Sequence, residues 1–125
     1  MKCVVTFRPS HGPVRHPLDW MLKEGFKHCA IAVRTAQGWI EIDYAIGVPI
    51  VKVIAGRDFD IEQWYKNQGF ITFTTKQAIN KHFRFNLFRG NMFVSNCVGL
   101  VKAILGVSYF SITPYQLYKR LKKCH

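Results

Sequence analysis

Acidic residues are scarce in this sequence. The 125 residues contain 7 Asp and Glu against 18 Lys and Arg, which gives a net charge of +11. This excess favours an anionic partner, such as nucleic acid, a phospholipid surface or an acidic polymer. Hydrophobic residues make up 49% of the chain and aromatic residues 14%, which excludes a charge-driven disordered chain. We therefore expect one basic globular domain over residues 1–125.

The sequence also lacks the apolar runs that target or cross membranes. Residues 1–8 contain no run long enough for a signal peptide. Between residues 90 and 118 the only charge is Lys102, but a lysine near the centre of a bilayer costs roughly 3 kcal/mol, so we expect two helices of a soluble protein there. The prediction is a cytoplasmic protein, with delivery by a phage or by another route left open.

Metal-binding spacings are absent as well. Cys3, Cys29, Cys97 and Cys124 include no Cys-x-x-Cys pair, and the five histidines are not spaced as in a zinc finger. Without a signal peptide, these cysteines are expected to be thiols in a reducing compartment. We expect neither a metal nor a cofactor.

Periodicity and capping residues place the regular elements along the chain. Segments rich in β-branched and aromatic residues predict strands, and apolar stripes bounded by caps predict helices. This succession indicates an α+β fold, in which an antiparallel sheet packs against a helix that bears Cys97. The predicted strands are 2–7, 26–33, Gly38–Ala45, 50–55 and 70–75; the predicted helices are 18–24, 58–65, 97–106 and 113–123, with a further turn at 76–79.

The second and third strands form a hairpin that gathers polar side chains. A two-residue turn within residues 36–38 places Glu41 and Asp43 on the same face as His28, whereas a three-residue turn would reverse this arrangement. The two residues that follow His28 on this face are alanines. Their small size leaves room for another element, and we expect a helix to pack there.

Cys97 stands apart from the other cysteines because of its place on a helix. Ser95 or Asn96 can cap this helix, which puts Cys97 in the first turn. There, free backbone N–H groups and the positive end of the helix dipole lower a thiol pKa. The same N–H groups near Cys97 can bind the oxyanion that forms when a thiolate attacks a carbonyl. Apolar residues three, four and seven positions later form a buried stripe with Cys97.

These residues together suggest nucleophilic catalysis. If the helix packs on the alanine face of the hairpin, Cys97 comes within reach of His28 as general base. Glu41 would then orient the imidazole, with Asp43 as the substitute for that third role. The alternative is an inert buried cysteine, a hydrogen-bonded histidine and two carboxylates on the solvent face of a sheet.

Three motifs resemble the circularly permuted NlpC-type papain-like superfamily, which includes YiiX-like hydrolases and lecithin:retinol acyltransferase-like enzymes. The motifs are His28 at the start of the first hairpin strand, Glu41 in the next strand, and Asn96 and Cys97 followed by the apolar pair at 100–101. The shared order is histidine first, a polar residue second and the cysteine last, at the start of a helix. The similarity covers about residues 26–118.

The resemblance implies a compact papain-like domain with cysteine peptidase or amidase activity. Cys97 would be the nucleophile, His28 the base and Glu41 the orienting residue, and the substrate would be a peptide, a cell-wall peptide or a lipid acyl group. Acyl transfer is the second activity that it implies. Ile40 stands where the acyltransferase branch has a second histidine, and Val98 stands where YiiX-like chains usually have an acidic residue.

Two readings from other classes remain. The basic and aromatic residues of 81–89 and the basic residues of 119–123 could bind nucleic acid by stacking and phosphate contacts, although we favour the aromatic side chains as core. The second reading is a catalytically inactive papain-like domain that serves as an interaction protein.

Overall fold

Five antiparallel strands and three helices form the part of the chain that the structure describes. The computed structural model describes residues 2–9, 23–45, 48–76, 97–107 and 111–124. The strands follow the order β4-β3-β2-β1-β5 in one sheet, and every neighbouring pair is antiparallel. The α+β prediction is confirmed. The elements are β1 (Cys3–Arg8), β2 (His28–Thr35), β3 (Gly38–Ala45), β4 (Val48–Ala55), α1 (Ile61–Asn67), β5 (Ile71–Thr75), α2 (Cys97–Leu105) and α3 (Pro114–Cys124).

Capping residues set the starts of two helices. Asp60 accepts a hydrogen bond from the backbone N–H of Gln63, so α1 begins later than the sequence predicted. Thr113 and Gln116 form the predicted capping box, in which each side chain accepts the backbone N–H of the other residue. Several other predictions lie outside the described residues. They are the helix at 18–24 up to residue 22, most of the turn at 76–79, the segment 81–89, and the caps Ser95 and Asn96.

The β2–β3 hairpin has the predicted two-residue turn. Thr35 pairs with Gly38 across the turn, and Ala32 pairs with Glu41 further along. Glu41 and Asp43 are therefore on the alanine face of the sheet, as a two-residue turn predicts.

Gly38 is needed at the end of this turn. Its φ is +140°, and a Cβ atom there would lie 2.5 Å from the carbonyl oxygen of Ala55. We expect Gly38→Ala to lower the free energy of unfolding by about 1–3 kcal/mol, because it adds backbone strain and a contact with rigid backbone. Urea denaturation measures this loss. Gly56→Ala is the matched control, since a Cβ atom at Gly56 meets nothing within 4 Å; equal losses in both variants would contradict the prediction.

The two faces of the sheet are covered by different helices. Cys29, Ile31 and Val33 pack with α2 and α3 in one cluster of buried residues. On the opposite face, Ala32 packs with Ile61 and Tyr65 of α1. The helix expected on the alanine face is therefore α1, whereas the helix that bears Cys97, α2, covers the face of Cys29.

α2 buries most of its surface. The predicted stripe of Cys97, Leu100, Val101 and Ile104 is buried, and Val98 and Leu105 are buried too. The helix therefore lies in the core instead of at the surface, with Cys97 at its first residue. Among the described helices, none has the length and apolar character needed to cross a membrane.

Candidate active site

His28 and Asp43 form a close pair at the end of the sheet. His28 is the first residue of β2, and its side chain is 9% exposed. Its Nε2 atom lies 2.5 Å from Oδ1 of Asp43 on β3. The same Asp43 oxygen accepts the backbone N–H of Tyr44 at 2.7 Å. Because the carboxylate is anchored on its own strand, it fixes the orientation of the imidazole ring.

The side chain of Cys97, on α2, interacts with the same histidine. Cys97 is the first residue of α2, it is 8% exposed, and its side chain is hydrogen-bonded to His28. The contact forms where β2 and α2 both begin, so it does not require α2 to cover the alanine face.

The environment favours the protonated form of His28. Burial lowers the pKa of His28, but hydrogen bonds and charges from Asp43 and Cys97 outweigh it and raise the pKa to about 9. For Asp43, burial raises the pKa of the carboxyl. The hydrogen bond to His28 and the positive charges of His28 and Arg8 outweigh burial, so the pKa is lowered. At neutral pH the pair is therefore an imidazolium and a carboxylate.

The environment also favours a thiolate at Cys97. A hydrogen bond from the Cys29 thiol lowers the pKa of Cys97, burial opposes it, and the hydrogen bond and charge of His28 and the backbone N–H of Cys29 lower it further. The net result is a pKa well below the usual value for a thiol. The helix start suggested this direction in the sequence, but the contribution of Cys29 was not foreseen.

Glu41, the preferred third residue in the sequence analysis, has a different set of partners. Its Oε2 atom accepts a hydrogen bond from Arg8 at 2.9 Å and another from the Tyr65 hydroxyl. Its Oε1 atom lies 3.7 Å from Nζ of Lys52. Of the two carboxylates considered for the third role, Asp43, the substitute, therefore contacts His28, whereas Glu41 belongs to a neighbouring ionic cluster.

Arg8 holds this neighbouring cluster together. It is the strand partner of His28 across β1 and β2, and its guanidinium lies 4.8 Å from the centre of the Phe70 ring and 5.8 Å from that of Tyr65. Burial and the hydrogen bond to Glu41 raise the pKa of Tyr65, so its hydroxyl remains a donor. Sequence reasoning missed Arg8 and Tyr65, because the sheet order brings Arg8 beside Glu41 and the packing of α1 on the sheet brings Tyr65 there.

The predicted oxyanion donors belong to the start of α2. α2 begins at Cys97, and the first turn of an α-helix has N–H groups that lack partners within the helix. These groups surround the end of the helix at which the sulfur lies. Asn96, which precedes Cys97, is outside the described residues.

The arrangement brings a thiolate, an imidazolium and a carboxylate together. Such a set of groups suits attack on a carbonyl carbon followed by protonation of a leaving group. Among residues 2–9, 23–45, 48–76, 97–107 and 111–124, no group of three or more His, Cys, Asp or Glu residues could hold a metal ion. No protein-family model, curated protein or solved structure matches the chain.

Proposed function

We propose that this protein is a cysteine hydrolase that cleaves an amide, peptide or ester bond through a covalent acyl-enzyme. The observation that carries the proposal is the position of His28, whose Nε2 atom lies 2.5 Å from the Asp43 carboxylate and whose side chain also interacts with the Cys97 thiol. The roles follow from that geometry: Cys97 is the nucleophile, His28 the acid and base, and Asp43 the orienting residue.

The reaction proceeds in two steps. The Cys97 thiolate attacks the carbonyl carbon, and N–H groups of the first turn of α2 stabilise the oxyanion. The His28 imidazolium then protonates the leaving amine or alcohol, which breaks the scissile bond and leaves an acyl thioester. In the second step neutral His28 takes a proton from water, and the hydroxide releases the acid and restores the thiolate.

The substrate class follows from the resemblance and the charge. The order of His28, Asp43 and Cys97 along the chain is that of the permuted papain-like enzymes, which supports a peptide or cell-wall peptide as substrate. A lipid acyl group, with transfer to an amine in place of water, is the alternative. The net charge of +11 would draw the protein towards an anionic envelope polymer or phospholipid surface.

The proposal is tested with p-nitrophenyl acetate, a small activated ester. The parent is the Cys124→Ser variant, which removes the exposed thiol. We expect an acetyl group on Cys97 in peptide mass spectra, and multiple turnovers that Cys97→Ser reduces on the order of 10³-fold or more. Cys3→Ser, which alters a buried thiol on β1, is the control that keeps turnover.

Two outcomes would reject a hydrolase. Turnover that persists in Cys97→Ser would assign the esterase activity to other groups. Absence of an acetyl group on Cys97 would favour the inactive interaction protein. A nucleic-acid-binding role is distinguished by binding that falls steeply with salt and is indifferent to Cys97→Ser.

A further inference from the structure

A second thiol lies against the proposed nucleophile. Cys29 follows His28 on β2, and strand alternation turns its side chain to the opposite face, where α2 packs. It is fully buried, it packs in the same core cluster as Cys97, and its thiol interacts with that of Cys97. Both cysteines are free thiols in this structure. Hydrolysis uses only one of the two sulfur atoms.

The two thiols differ in a way that gives each a distinct role. Burial and the neighbouring Cys97 raise the pKa of Cys29 well above its usual value, whereas the pKa of Cys97 is lowered. Cys97 is 8% exposed and Cys29 is 0% exposed. A small oxidant therefore meets the reactive sulfur first, and the buried thiol is placed to react with the product.

We propose that Cys97 and Cys29 are a peroxide-sensitive pair, in which oxidation of Cys97 is resolved by Cys29 as a reversible intramolecular disulfide. This modification would remove the nucleophile and protect it from irreversible oxidation. The inference uses the same thiol as the proposed function, but it does not require that the protein hydrolyse anything.

The chemistry balances with hydrogen peroxide as oxidant. The Cys97 thiolate attacks one peroxide oxygen: the S–O bond forms, the O–O bond breaks, and the departing hydroxide takes a proton to become water. The Cys29 sulfur then attacks the sulfur of the sulfenic acid. The S–S bond forms, the S–O bond breaks, and the hydroxide leaves with the Cys29 proton as a second water. Two thiols are oxidised and one peroxide is reduced.

The test compares the products of oxidation in matched variants. The parent is again Cys124→Ser, treated with a molar excess of hydrogen peroxide, since each oxidation step beyond the sulfenic acid consumes a further peroxide, then blocked with N-ethylmaleimide and mapped by peptide mass spectrometry. We expect one disulfide that links Cys29 to Cys97 and that dithiothreitol reverses. In Cys29→Ala, Cys97 should instead accumulate as sulfinic and sulfonic acids. Dithiothreitol should then fail to restore the Cys97 thiol.

Two control variants keep the test falsifiable. Cys3→Ala removes another fully buried thiol of the same core cluster, and it should still form the disulfide. Cys29→Ser keeps a hydroxyl donor at the same position. If Cys29→Ala is unstable, Cys29→Ser provides a folded protein that cannot form the disulfide. Identical products in the parent and Cys29→Ser, or a disulfide that excludes Cys29, would overturn the inference.

The outcome is separable from the proposed function. A Cys29–Cys97 disulfide without ester turnover would reject the hydrolase and leave the redox pair standing. Ester turnover in a protein whose Cys97 oxidises only to sulfinic acid would reject the redox pair and leave the hydrolase standing.

Discussion

Replacing His28 with Ala is expected to slow the alkylation of Cys97 by iodoacetamide at about pH 6 by roughly 10- to 100-fold. The thiolate is the species that reacts, and His28 stabilises it through a hydrogen bond and a positive charge. Without His28 the pKa of Cys97 rises, and each unit of rise leaves about tenfold less thiolate below the pKa. The hydrogen bonds from Cys29 remain, so the thiol does not return to its ordinary value.

The measurement is the second-order rate constant of alkylation against pH in the Cys124→Ser parent. The profile of the parent should stay high at acidic pH, and that of His28→Ala should rise only towards alkaline pH. Profiles that coincide would show that His28 does not stabilise the thiolate.

A second alkylating reagent, iodoacetate, detects the charge of His28. Iodoacetate is anionic, so its reaction with Cys97 benefits from the imidazolium, whose pKa is about 9. We expect the ratio of iodoacetate to iodoacetamide rates in the parent to fall as the pH rises through this value. The ratio should show no such fall in His28→Ala.

Asp43 and Glu41 are distinguished by the same measurement. Asp43→Asn should lower the pKa of His28, because the imidazolium loses a carboxylate 2.5 Å away while burial still favours the neutral ring. The fall in the iodoacetate ratio would then occur at lower pH. Glu41→Gln is the matched control, since its carboxylate contacts Arg8 and Tyr65, and it should leave the alkylation profile nearly unchanged.

Replacing Arg8 with Met is expected to lower the free energy of unfolding by about 3 kcal/mol. The variant leaves the Glu41 carboxylate buried, with its side chain 5% exposed and without the guanidinium that lies 2.9 Å away. A cavity of about 220 Å³ borders this cluster, and the Arg8 side chain is 18% exposed. Partial access to water therefore keeps the loss at the lower end of the range for buried pairs.

Urea denaturation provides the measurement, with the midpoint compared at an unchanged slope. Tyr65→Phe should cost less, about 1–2 kcal/mol, because it removes one hydrogen bond and no charge. A double variant, Arg8→Met with Glu41→Gln, should recover part of the loss, since it removes a buried carboxylate whose remaining partners are Lys52 and the Tyr65 hydroxyl. A loss below about 0.5 kcal/mol in Arg8→Met would mean that water fully solvates Glu41.

These variants also separate structural from chemical roles. If Glu41 is structural, Arg8→Met and Glu41→Gln change the stability of the fold, whereas the alkylation of Cys97 depends on His28 and Asp43. The two ionic groups are close neighbours, since Arg8 and His28 are strand partners. Their hydrogen bonds are nevertheless separate, because each carboxylate has its own set of donors.

Local sequence determined much of the fold. Period-two alternation and a two-residue turn placed Glu41 and Asp43 on the face of His28, and the register confirms that placement. Helical periodicity gave the buried stripe that begins at Cys97, and the capping box gave the start of α3. These features depend on residues a few positions apart, so the chain carries them without reference to the rest of the fold.

Only the tertiary structure decided how these elements meet. Periodicity assigns a side chain to a face but does not say which helix covers that face, so α1 and not α2 lies on the alanines. The choice of Asp43 over Glu41 depends on Arg8, which is 33 positions from Glu41 in the chain and binds its carboxylate. The contact of Cys29 with Cys97 likewise requires a strand and a helix that are distant in sequence, because hydrogen-bond partners in a buried site are fixed by packing.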